Sequence, residues 1–131
     1  MTRSFAIRHA IAAPAERVWM LLTDTEFWPR WGPSVVAVDC AQRFIERGST
    51  GRVKTALGAW LSFAITEYEP DCYWRWRVAG IPATGHRVEP LGRQRCRLLF
   101  EIPIIAAPYA AVCHVASRRL ARLAEGDSSA Q

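Results

Sequence analysis

The feature that most constrains the fold is a change in the spacing of apolar residues along the chain. Between residues 34 and 102, apolar and polar side chains alternate with a period of two, and turn residues interrupt the pattern. The predicted strands lie near 34–41, 50–55, 59–68, 72–78, 82–90 and 93–102. After Pro103 and Pro108 the spacing becomes that of a helix, which we predict from about Ala106 to Glu125. Short connections predict an antiparallel meander, and the terminal helix is long enough to cover its apolar face.

The N-terminal part of the chain adds one strand and two short helices. Residues 3–11 alternate in the manner of a strand, and a helix follows from Pro14 to about Leu22, with proline at its first position. Asp24 is placed to cap a second helix through Trp28. The whole chain therefore predicts an α+β fold in one domain over residues 1–126: a curved antiparallel sheet of about seven strands wrapped around a long C-terminal helix. Residues 127–131 are predicted to be a flexible tail.

The positive charge of the chain is carried by arginines on one predicted face of the sheet. The net charge is +5, from sixteen Arg and one Lys against 12 acidic residues. Arg75 and Arg77 alternate with tryptophans, and Arg93, Arg95 and Arg97 alternate around apolar residues, so a period of two puts these charges on the solvent side. An anionic partner on that face is the alternative. No nucleic-acid motif is present, so we expect no nucleic-acid partner.

The cysteines and histidines do not have the spacing of metal ligands. Cys40, Cys72, Cys96 and Cys113 are far apart, and we interpret them as buried thiols of a cytoplasmic protein. No metal or cofactor is predicted. No apolar run approaches the roughly 20 residues that span a bilayer, and a monomer and a homodimer both remain open.

The inward positions of the predicted elements are rich in aromatic residues. Rigid rings around a void are a common way to shape an apolar ligand pocket, although core packing is the alternative for each ring alone. The candidate ligand-binding residues are Phe27, Trp28, Trp31, Leu61, Phe63, Trp74, Trp76, His86, Cys96, Leu98, Phe100, Tyr109, Val112, Cys113 and Ala116.

Polar groups that could carry chemistry are few. His86, Tyr109 and an inward Arg87 are the candidates for acid/base catalysis. The sequence contains no nucleophile elbow, phosphate loop or paired histidine ligands. These three residues therefore do not define a mechanism by themselves.

One stretch near the N-terminus resembles a known family. Its residues are Ile11, Ala13, Pro14, Glu16, Val18, Trp19, Thr23, Asp24, Trp28, Pro29, Arg30 and Trp31. The pattern is similar to that of the START-like, or SRPBCC, superfamily, and more narrowly of its polyketide cyclase/dehydrase and lipid-transport group. Bet v 1-like proteins are more distant relatives, and residues 46–51 match their glycine-rich loop only at Gly48 and Gly51.

The resemblance implies a helix-grip fold with a hydrophobic cavity between the sheet and the terminal helix. Members of this superfamily bind lipids, polyketides, hormones or quinones, and some are enzymes, so the fold alone does not select one use. The leading hypothesis is binding, and transport where the protein is a carrier, of a hydrophobic small molecule. The alternatives are a polyketide cyclase or aromatase acting in the same cavity, and a stress-response or interaction module without a fixed ligand.

Overall fold

The alternating segments form one antiparallel sheet in a computed structural model, which describes residues 4–126 apart from the side chain of Ile105. The strands are β1 (Ser4–Ile11), β2 (Val35–Cys40), β3 (Thr50–Thr55), β4 (Trp60–Glu69), β5 (Tyr73–Val78), β6 (Ile81–Gly92) and β7 (Arg95–Pro103). Their order across the sheet is β1-β7-β6-β5-β4-β3-β2. The predicted meander of six strands, β2 to β7, is therefore confirmed, and the predicted N-terminal strand, β1, pairs with β7 as the seventh strand. The predicted tail, 127–131, lies outside the described residues.

The helices occupy the predicted places, but the second ends at Trp31 instead of Trp28, and the last begins later than predicted. They are α1 (Ala15–Thr23), a 3-10 turn over Thr25–Phe27, α2 (Trp28–Trp31), a 3-10 turn over Ile104–Tyr109 and α3 (Ala110–Ala124). Sequence spacing predicts that the terminal helix starts at Ala106, but α3 starts at Ala110. The backbone of Ala106 is not helical, and Pro108 has no N–H to donate to an α-helical hydrogen bond, so regular α-helix begins only after these residues.

Asp24 fixes the junction between α1 and the short helices, as its predicted capping role requires. Its carboxylate accepts a hydrogen bond from the backbone N–H of Glu26 at 3.0 Å. The Arg43 side chain donates to the same carboxylate at 2.9 to 3.2 Å. Charge-assisted, bidentate contacts of this kind hold the reversal of the chain between α1 and α2 in one geometry. The segment that carries α2 is therefore held in place against the sheet.

The core lies between one face of the sheet and the helices. Its most completely buried aliphatic side chains are Ile11, Val18, Leu22, Leu98, Ile102 and Leu120. The far end of α3 is tied to the start of α1, because Glu125 accepts from the backbone N–H of Ala12 and Arg17 donates to the carbonyl of Ala124. The predicted helix-grip arrangement is confirmed.

The opposite face of the sheet carries charges that pair with one another. Arg75 and Arg87 both donate to Glu101, at 3.1 and 3.3 Å, and Arg97 donates to Glu89 at 3.3 Å. The expectation of an inward Arg87 is wrong. Strand alternation puts Arg87 on the face opposite its neighbour His86, where its guanidinium keeps an ion-pair partner instead of being desolvated in the core.

The cysteines are all free thiols, but they are not all buried. Cys96 and Cys113 lie in the core, whereas Cys40 and Cys72 are half-buried, which corrects the expectation of four buried thiols. Within residues 4–126, no three His, Cys, Asp or Glu side chains cluster as metal ligands would. No helix in the same range is both long and apolar enough to cross a membrane.

Candidate functional site

A cavity opens at one end of the molecule, where seven strand ends meet. From β2 to β7 each strand reverses the direction of the one before it, so β2, β4 and β6 begin at this end and β3, β5 and β7 finish there. The start of β1 lies beside the end of β7. The 3-10 turn over Ile104–Tyr109 follows β7 and lies across the same end. We call this end the mouth.

The outer cavity at the mouth has a volume of about 510 Å³. Its walls are mostly apolar, and hydroxyl groups occur at only a few positions. The lining residues are Ser34, Val35, Val53, Thr55, Leu61, Trp76, Val78, Ile81, Pro82, Ala83, Thr84, Ala106, Pro108 and Tyr109. Cavities of roughly 300 to 1,000 Å³ with apolar walls and few polar groups are typical small-molecule sites.

A much smaller inner cavity of about 40 Å³ lies deeper, toward α3. It is adjacent to the outer cavity, since both are lined by Ser34, Val35, Trp76, Thr84 and Tyr109. Further lining residues of the inner cavity are Trp28, Trp31, Trp74, His86, Phe100, Val112, Cys113 and Ala116. A space of this size holds a few water molecules at most.

Aromatic rings pack closely against one another around the inner cavity. Trp28 stacks on Trp74 with ring centroids 5.5 Å apart, and Trp74 stacks on His86 at 3.8 Å. Phe63 packs on Trp28 at 5.4 Å and on Trp76 at 5.7 Å. The sequence predicts these rings around a deep void, but they pack on one another, and the larger cavity lies nearer the mouth.

Short helices position two of these rings through their indole groups. The indole N–H of Trp28 donates to the carbonyl of Leu22, and that of Trp31 donates to the carbonyl of Leu21, both at 2.9 Å. The backbone of α1 thus anchors rings that project from α2. By contrast, the indole N–H of Trp74 has no hydrogen-bond partner and is the one such buried side-chain group among the described residues.

His86 is held in a chain of hydrogen bonds that fixes its tautomer. The indole N–H of Trp76 donates to the Thr84 hydroxyl at 3.1 Å, and that hydroxyl lies 3.1 Å from Nε2 of His86. Nδ1 of His86 lies 3.3 Å from the carbonyl oxygen of Trp74, which can only accept. The network therefore assigns the proton to Nδ1, with Thr84 donating to Nε2.

Burial keeps the polar candidates of the site neutral. It lowers the pKa of His86 to about 3, with a smaller contribution from nearby Arg75, because a charged imidazolium would lose its solvation. Burial also raises the pKa of Cys113 to about 12 and raises the pKa of Tyr109. The Tyr109 hydroxyl shares a hydrogen bond with the hydroxyl of Ser34 across the cavity wall. His86, Cys113 and Tyr109 are therefore uncharged near neutral pH.

The lowered pKa of His86 predicts a specific loss of stability in mild acid. The unfolded chain takes up a proton at this histidine below about pH 6.5, whereas the folded chain does so only near pH 3. Stability conferred by neutral His86 is thus present above pH 6.5 and declines as the pH falls toward 3. Between about pH 7 and pH 5 we expect a loss of about 2 kcal/mol from this group.

Urea unfolding at both pH values measures this effect. The matched variant is His86→Gln, which keeps a polar side chain but lacks the titrating group, and its stability should change less over the same interval. Equal pH dependence in the two proteins would contradict a buried neutral histidine.

The structure brings most of the predicted ligand-binding residues to the two cavities, with four exceptions. Phe63, Cys96 and Leu98 are buried in the core away from both linings. Phe27 is half-buried beside α2, with the Arg30 guanidinium 5.3 Å from its ring centre. Leu61, Trp76 and Tyr109 are the three that line the larger cavity.

Several wall residues of the outer cavity are absent from the predicted ligand-binding set. Ile81 and Pro82 open β6, which was predicted to begin at residue 82, and Ala106 and Pro108 belong to a segment that was predicted as helix but forms a 3-10 turn. Apolar residues beside Gly80 and between Pro103 and Pro108, where polar residues are expected, were the available signal.

Known proteins give three comparisons. The family model described as polyketide cyclase/dehydrase and lipid transport matches residues 2–125. No curated protein matches the chain. Several solved structures share its fold.

Two of these structures cover almost the whole chain. The protein XoxI from Bacillus cereus is 11% identical with a TM-score of 0.74, covering 95% of this chain and 96% of its own. The ZhuI aromatase/cyclase from Streptomyces sp. R1128 is 14% identical with a TM-score of 0.73, covering 95% and 94%. At these identities the likeness establishes the fold alone.

Proposed function

Because the chain belongs to the polyketide cyclase/dehydrase and lipid transport family, we propose that it binds a hydrophobic small molecule, such as a lipid, quinone or polyketide, in the outer cavity. The observation that carries the proposal is the apolar cavity of about 510 Å³ at the mouth. Its walls come from five strands and a turn, so it is built into the fold rather than into one mobile loop.

The polar groups around the cavities indicate the kind of ligand. Trp74, whose indole N–H is unpaired, lines the inner cavity, and Ser34 and Tyr109 line both cavities. An unpaired buried donor costs about 1 to 3 kcal/mol, and an acceptor atom on the ligand would recover part of that cost. A largely apolar molecule with a carbonyl, quinone or ether oxygen at its inner end fits these groups.

The state of His86 supports binding rather than acid/base chemistry. Both of its ring nitrogens are occupied by groups of the protein, and its pKa of about 3 makes it a poor base near neutral pH. Arg87, the third candidate for catalysis, lies on the other face of the sheet. These features favour a binding cavity, since neither His86 nor Arg87 is placed to transfer a proton to or from a ligand.

Titration of the purified protein with a panel of fatty acids, quinones and aromatic polyketides tests the proposal. Trp76 lines both cavities, so binding is expected to change the tryptophan fluorescence saturably. Turnover of the polyketides, followed by mass spectrometry in the same samples, would favour the cyclase alternative. A panel that produces no saturable change would contradict binding.

A further inference from the structure

Large apolar side chains surround the mouth and point into solvent. They occur on separate turns and strand ends: Leu57 is 98% exposed, Ile81 61%, Ile104 52% and Trp60 41%. Leu57 lies in the turn between β3 and β4, Ile81 begins β6, and Ile104 follows β7. We call these four residues the mouth rim.

The rim is not explained by packing within the chain. A turn such as 56–59 normally carries polar residues, and a nearly fully exposed leucine at its tip gains nothing from the fold. Ile81 also lines the outer cavity, so the rim is continuous with the cavity wall. Exposed apolar side chains grouped around a cavity opening mark an interaction site.

The charged residues in the segments around the rim are all basic. The four segments that form the mouth, residues 32–38, 53–62, 77–84 and 102–110, contain no acidic residue, but they contain Lys54 and Arg77. The Arg52 guanidinium lies 5.0 Å from the ring centre of Trp60, but it is paired with Asp39 at 2.8 Å, so Lys54 and Arg77 carry the positive charge of the mouth.

Acidic side chains are found instead toward the opposite end of the sheet. Glu69 and Asp71 lie at the turn between β4 and β5, and Glu46 lies in the connection between β2 and β3. Glu101, next to the mouth segments in sequence, is already paired with Arg75 and Arg87. The surface of the mouth therefore combines exposed apolar side chains with nearby positive charge.

We propose that the mouth rim docks on the surface of a bilayer that contains anionic lipids. Leu57, Ile81 and Ile104 would enter the boundary between headgroups and acyl chains, while Lys54 and Arg77 meet anionic headgroups. This inference rests on the proposed function in one respect: docking would bring the cavity opening against the acyl region, so that a hydrophobic ligand passes between them without crossing water.

The shape of the rim favours a bilayer over an acidic protein. The exposed side chains belong to separate turns and strand ends rather than to the face of one helix or strand. A bilayer surface is deformable, so each exposed apolar side chain can insert into it independently while the neighbouring basic residues contact headgroups.

Sedimentation with vesicles tests the proposal without any added ligand. The native chain is expected to sediment with vesicles of phosphatidylcholine and phosphatidylserine, to bind pure phosphatidylcholine vesicles more weakly, and to be released as salt screens the charges. Leu57→Glu should weaken binding to the mixed vesicles by about tenfold, since it removes an inserted apolar side chain and adds a like charge.

Leu91→Glu is the matched control, because Leu91 is also exposed but lies near the turn between β6 and β7 at the opposite end. It should bind as the native chain does. Failure of the native chain to sediment with either vesicle, or an equal loss in both variants, would overturn the docking proposal. Ligand titration in solution is independent of that result, so failure of ligand binding would be recognised separately.

Discussion

Replacement of Trp74 by alanine is expected to lower the free energy of unfolding by about 3 to 5 kcal/mol. The Trp74 side chain is completely buried, stacked between Trp28 and His86 and in edge contact with Trp76. Its removal leaves a void that the neighbouring rings are too rigid to fill. Urea unfolding followed by circular dichroism measures the effect, with the native chain as the reference.

Trp60→Ala is the control for this experiment. It deletes the same side chain from the same sheet, but Trp60 is exposed at the mouth and contacts mainly the Arg52 guanidinium. We expect a loss of about 1 kcal/mol or less. A small effect at Trp74, comparable with that at Trp60, would contradict the description of the aromatic rings as a packed core.

Leu61→Trp is expected to reduce the affinity for a cavity-bound ligand by at least about tenfold. Leu61 lines the outer cavity, and a larger ring at this position would occupy space that the ligand needs. Overlap with even part of a bound apolar molecule removes buried contact area, which stabilises binding by about 25 cal/mol per Å². Displacement of anilinonaphthalene sulfonate by the best member of the panel measures the affinity.

The control for Leu61→Trp is Leu57→Trp, which introduces the same ring four residues earlier. Leu57 lies in the exposed turn and does not line either cavity. Its affinity should be that of the native chain, and both variants should retain the native free energy of unfolding within about 1 kcal/mol. Undiminished affinity of Leu61→Trp would place the ligand somewhere other than the outer cavity.

The sequence predicts the architecture well because local spacing and topology are coupled here. Alternating apolar residues separated by short turns have few arrangements other than a meander. The same alternation places Trp74, His86 and Phe100 on the inner face, where the structure has them. The start of α3 was harder to predict, because helical spacing continues through Pro108 although the backbone there is a 3-10 turn.

The location of the cavity is less predictable than the face that forms it. The alternation of apolar and polar residues along a strand predicts which side chains point inward. It does not predict whether the inward rings surround a cavity or pack on one another. Here Trp28, which comes from α2, inserts against Trp74 and occupies the centre. Such a contact joins residues far apart in sequence, and no local pattern contains it. An inward Arg87 conflicts with the alternation itself, because a strand that points His86 inward points Arg87 to the opposite face.

The most direct test of ligand binding at the mouth is an amide and indole NMR spectrum of the chain with and without the best member of the panel. The indole N–H of Trp76 lies at the wall between the two cavities, where it donates to Thr84, whereas Trp19 and Trp60 line neither cavity. A ligand bound at the mouth should shift the Trp76 indole resonance strongly and leave those of Trp19 and Trp60 unchanged. An unmoved Trp76 resonance at saturation would contradict binding at the mouth.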